Sequence, residues 1–155
     1  MMDKISTPIK FGLGIAAALI VYFLILSIFG LHQYPAFSIL NMVILGGGLY
    51  LAISGYKKEV GAKFKFRKSF MVGLTAGFLA TAIFTAFFLI YATEIDTNFM
   101  EESMPVWVID WSSTVGFLLV GVALAGFAST IVLTFAWTQL HKVSRNTEEG
   151  KEHTL

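Results

Sequence analysis

Few side chains in this sequence could carry chemistry, and they stand in short polar stretches between long apolar ones. His32 lies in a brief turn, and Glu94, Asp96, Glu101, Glu102 and Asp110 share one acidic stretch. An imidazole and several carboxylates could bind a divalent cation, but no fixed ligand spacing is visible, so a solvated polar turn is the preferred reading of His32. The chain has no cysteine, which removes disulfides, thiolate metal sites and Cys nucleophiles. A Gly-rich phosphate loop, a nucleophile elbow and an H-E-x-x-H motif are all missing. The sequence therefore predicts no catalytic residue, no cofactor and no metal, and a protein that is not an enzyme. Asn41 is the exception to follow, because it lies within an apolar run and its amide needs a partner outside its own helix. Serines and threonines in such runs can bond back to their own carbonyls. For Asn41 a structural bond between helices is favoured over a substrate contact.

The elements that must position these residues follow from composition. Of the 155 residues, 56% are hydrophobic and 14% charged, with a mean hydropathy of +0.75. The charges gather in a few segments and leave apolar runs long enough to cross a hydrocarbon core of about 30 Å. The fold class expected is all-α, an integral membrane four-helix bundle of two helical hairpins. Its spans are placed at about 8–30, 36–56, 69–92 and 112–139, within a transmembrane domain of residues 1–141. A polar tail follows over 142–155. Residues 57–68 read as a loop. A short interfacial helix is expected near 97–103, ended by Pro105. The first run is too long for the apolar core of a signal peptide and is followed by another span, so it reads as an uncleaved helix.

Charge sets the expected orientation. All eleven Lys and Arg residues fall at the N-terminus, in the stretch containing Lys57, Lys58, Lys63, Lys65, Arg67 and Lys68, or in the tail. With four spans those places share one side, so the positive-inside rule predicts both termini in the cytoplasm and the acidic stretch outside. The six central cations, interleaved with Phe64 and Phe66, also suit anionic lipid headgroups at about 1 kcal/mol each. Membrane lipids are thus expected partners, and no basic face is left for nucleic acid.

Small residues mark where helices could approach. Gly46, Gly47 and Gly48 sit within the second span, and Gly73 and Gly77 form a G-x-x-x-G in the third, continued by Ala80 and Thr81. Gly121, Ala125, Gly126, Ser129 and Thr130 make a similar face in the fourth. Such stripes serve packing within one bundle or association of two copies, and both readings stand. No Asp, Glu, Lys, Arg or His lies deep in any span, which counts against proton-coupled transport and intramembrane hydrolysis.

From Phe66 to Met104 the basic stretch, the S-F-x-x-G-L start of span three and the FFLIYATEIDTNFMEES exit resemble a Bacteroidetes family described as a domain of unknown function, DUF4199. Members often carry Y-x-x-x-I-D-P-x-F-x-E-x on leaving the third span. Here Tyr91, Ile95, Asp96, Phe99 and Glu101 fit, while Thr97 replaces the usual proline; Gly12 or Gly14 also fits the pattern. The resemblance implies a small four-span inner-membrane protein and brings no activity with it. Asp96, Phe99, Glu101 and Trp107 are candidates for an external docking surface. Taken together, the expectation is a non-enzymatic interaction or accessory subunit of an envelope system, with an envelope protein or a second copy as partner. The rival is a small oligomeric transporter or channel.

Overall fold

In hydrocarbon a chain must satisfy its own backbone hydrogen bonds, and a helix does so within one segment. The computed structural model describes residues 6–31, 34–95 and 111–142. Its four long helices are α1 (Thr7–Ile28), α2 (Pro35–Val60), α3 (Phe66–Ile90) and α4 (Trp111–His141). No strand occurs among the described residues. Each helix is long and apolar enough to cross a membrane, with mean hydropathy between 1.9 and 2.5 over its most apolar window. At about 1.5 Å per residue even α1, the shortest, spans about 33 Å.

Local chemistry sets the helix ends. Pro8 and Pro35 lie in first turns, where a missing N–H costs little. Helix α1 stops in a Schellman motif: Gly30 takes a φ of +65°, its N–H reaches the Ser27 carbonyl, and the Leu31 N–H reaches that of Leu26 at 2.9 Å. Helix α2 runs on through Lys57 and Lys58, whose charges meet the negative end of its dipole. Helix α3 already includes Arg67 and Lys68. The connection between them is therefore 61–65, shorter than the loop expected over 57–68. Lys and Arg are good helix formers, and their long stems let a helix continue past the hydrocarbon while the charges reach water. Beyond Ile90, α3 widens into a π-helical turn at Tyr91–Ile95, where the Thr93 hydroxyl donates to the Leu89 carbonyl at 2.9 Å. The helix expected near 97–103 and the tail from 143 lie outside the described residues.

The helices form a ring in the order α1, α2, α4, α3, with α2 and α3 also touching across the middle. The starts of α1 and α3 share an end with the finishes of α2 and α4. Thr7 donates to Glu59 at 2.7 Å there, and Phe66 packs edge-on to Phe135 at 6.2 Å. Leu49, Ala52, Ile53, Ala76 and Ala80 fill the centre without exposure. Towards the other end, Phe23 meets Phe84, Phe87, Phe88 and Tyr91 edge-on, with centroids 4.9 to 6.1 Å apart. Such pairs stabilise by about 0.5–1.5 kcal/mol beyond the area they bury. The Tyr91 hydroxyl is joined to that of Ser27.

Candidate functional site

Three arrangements involve the residues singled out above. The first is the α3–α4 seam. A Cβ at Gly77 would lie 2.6 Å from Thr130 Oγ1, one at Gly73 2.9 Å from Thr134 Oγ1, and one at Gly126 2.8 Å from Thr81 Oγ1. Each step of four residues along α3 is matched by a step of four back along α4. Each threonine thus sits where a glycine leaves room, and the backbones approach as small-residue faces allow. Ser69 and Thr138 extend the two rows by one step, both fully buried. The hydroxyls of Ser69, Thr130, Thr134 and Thr138 have no hydrogen-bond partner. Gly48 plays the same part between α2 and α1, where a Cβ would come 2.8 Å from Ile15 Cδ1. Gly46 is in ordinary contact range of Leu133, 3.6 Å from its methyls, whereas a Cβ at Gly47 or Gly121 would meet nothing within 4 Å.

The second is a cleft of about 380 Å³ between α2 and α4, in the half of the bundle near the α1–α2 connection. The two helices touch at the basic end and part towards the other. Buried Leu19, Leu45, Thr81 and Phe84 form its floor, and Met42 and Phe117 stand exposed at its rim. It therefore opens sideways. Asn41 lines it, with Oδ1 buried and unpartnered.

The third is a clasp at the basic end. His141 Nδ1 lies 2.8 Å from the Trp137 carbonyl and Nε2 2.9 Å from Ser54 Oγ. A carbonyl only accepts, so Nδ1 donates to it and, in the neutral ring, Nε2 accepts from the serine hydroxyl. Tyr50 packs on the imidazole at 5.3 Å and on Trp137 at 5.2 Å. Lys57 donates to the His141 carbonyl at 3.3 Å and lies 5.8 Å over the Phe64 ring. Its charge thus meets the negative end of α4. Lys58, Lys63, Lys65, Arg67 and Lys68 are exposed around it.

Asp96, Phe99, Glu101, Trp107 and His32 lie outside the described residues. Among the described residues no group of three His, Cys, Asp or Glu side chains could hold a metal ion. The reading of the sequence missed Ser69, Thr138 and the Ser54–His141 clasp. The first two were traceable as continuations of rows with a stride of four; the clasp joins residues far apart in sequence, which no local pattern signals.

Fold and hydropathy together define a multi-pass α-helical membrane bundle. The chain belongs to the family described as "Protein of unknown function (DUF4199)", whose model matches residues 10–106, from α1 to a point short of α4. No curated protein and no solved structure matches it.

Proposed function

We propose that this protein acts by interaction rather than by catalysis, as an accessory subunit of a bacterial envelope system, with both termini in the cytoplasm. The observation that carries this reading is the uneven cover of the helices. Only 6% of the most apolar stretch of α4 is buried in the bundle, against 28% to 39% in the other three. Leu124 and Ile131 project from its outward side, 63% and 47% exposed. A span that packs on α3 and α2 along one side and leaves its outward side uncovered has room for a transmembrane partner. The acidic stretch that leads into α4 would add polar contacts outside the membrane. Arg67 and Lys68 support the orientation: cations in a first turn oppose the helix dipole by about 0.3–1 kcal/mol each, a cost that a role in fixing topology accounts for.

Photocrosslinking in native membranes from Leu124 and from Glu101 tests this. Capture of a defined protein by both is expected; lipid adducts alone at both positions would end the reading. Asn41 favours the rival, a small oligomeric transporter or channel, because its amide oxygen lacks a partner. A water-filled seam through Asn41 between copies would decide for that rival.

A further inference from the structure

We propose that the hollow between the ends of α2 and α4, at the basic end of the bundle, binds the phosphate of an anionic bilayer lipid of the phosphatidylglycerol kind, with Lys57 and Lys58 as its ligands. The six central cations attract such headgroups as a group; here two of them make one site. The inference goes beyond the partner reading and stands on different residues.

The lining makes the first argument. Tyr50, Ser54, Lys57, Lys58 and Gly61 on α2 surround the hollow with His141 on α4. The α2 residues follow one another at spacings of three and four, so they share a face. Of the six central cations Lys57 alone is partly buried, its ammonium held between the His141 carbonyl and the Phe64 ring. One of its three donors is engaged and two remain. Lys58, exposed beside it, has no partner among the described residues. A lysine already held in place gives up less freedom when an anion arrives.

Charge decides the sign of the ligand. The last carbonyls of α2 and α4 bring about −0.5 each and the two lysines one full positive charge each, which leaves the hollow positive by about one. Glu59, the carboxylate of this turn, is engaged on the α1 side, where Thr7 donates to it. His141 is a wall and not a ligand, since Nδ1 is bonded to the Trp137 carbonyl and Nε2 to Ser54.

Depth selects a lipid over a soluble anion. Helix α2 carries no charged side chain over residues 35–56, about 33 Å at about 1.5 Å per residue. That matches a hydrocarbon core of about 30 Å, so Lys57 and Lys58 stand where the phosphates lie. Leu51 also lines the hollow, nearer the hydrocarbon, and is 57% exposed. An acyl chain hanging from a phosphate held here lies against it, a contact that free phosphate lacks. A choline or ethanolamine head would add a cation beside two lysines, which favours a glycerol head.

The test titrates the full chain in mild detergent with phosphatidylglycerol, and separately with phosphatidylcholine of the same acyl chains, and counts retained lipids by native mass spectrometry. One phosphatidylglycerol per chain is expected to outlast the rest, with no phosphatidylcholine retained in its place. Lys57→Gln with Lys58→Gln should weaken that retention about thirtyfold, the effect of two lysines at a membrane surface. The charge-matched pair Lys63→Gln with Lys65→Gln should leave it nearly unchanged. If the first pair misfolds, Lys58→Gln alone, at an exposed position, should still lower it about fivefold. Equal losses from the two pairs would show only the diffuse attraction of all the cations and overturn the proposal, as would equal retention of the two lipids. Displacement of the lipid by inorganic phosphate would assign the hollow to a soluble anion and overturn it as well. Only purified chain and lipid are present, so the outcome is independent of whether a protein partner is captured in native membranes.

Discussion

At the scale of single residues, a few polar atoms in an apolar interior have no bond to make. Asn41 is the sharpest case, since its amide oxygen is buried without a partner. Replacing an orphaned polar group by an apolar one of similar shape removes a desolvation cost. In delipidated detergent Asn41→Leu should therefore raise stability by about 1 kcal/mol, read as a higher midpoint in thermal or denaturant unfolding; a loss instead would mean that Asn41 has a structural partner. The Gly77–Thr130 contact makes the opposite prediction. A Cβ 2.6 Å from Thr130 Oγ1 must push the backbones apart, so Gly77→Ala should cost about 1–3 kcal/mol. Adding Thr130→Ala removes both atoms in its way and should restore most of that loss. Additive effects in this double-mutant cycle would show that the two residues do not oppose each other.

At the scale of elements, the existence of the helices was legible and their facing was not. Four apolar runs separated by short polar breaks announce four spans, because length and hydropathy are local properties. The extension of α2 through Lys57 and Lys58 was missed because charge was read as a helix stop, when only the hydrocarbon stops there. The rows Gly73–Gly77 and Gly126–Thr130 were visible as small-residue faces, but their interleaving depends on the antiparallel register of α3 and α4, a tertiary property. The clasp of His141 on Ser54 was invisible for the same reason. Of the cleft lining, Asn41, Thr81, Gly121, Ala125, Gly126 and Ser129 stood out in the sequence, but as helix-packing positions, because their convergence on one cavity depends on how the helices splay. The end of α1 offers a test at this scale. Gly30 holds a φ of +65°, so Gly30→Ala should cost about 1–2 kcal/mol, with Gly14→Ala, where a Cβ meets nothing within 4 Å, as the tolerated control. Equal losses would sink the account of the Schellman turn.

For the whole molecule, the arrangement of charge is the property with the widest reach. Thr7, Lys57, Phe66 and His141 meet at one end of the bundle, so the cations at 57–68 form a collar at that end. Reporter fusions after Leu155 are expected to stay in the cytoplasm. Changing Lys57, Lys58, Lys63, Lys65, Arg67 and Lys68 together to Gln should give a mixed population with part of the fusion exported. Unchanged orientation in that variant would show that the remaining charges suffice and remove the collar's role.

The interleaved seam between α3 and α4 has a mechanical consequence. With threonine teeth seated in glycine notches every four residues, the two helices cannot creep past each other by small amounts. They would have to unmesh and re-engage one notch along, a jump of about 6 Å. Any gradual rearrangement must therefore be absorbed elsewhere, and the splayed half of α2 against α4 is where the bundle can give.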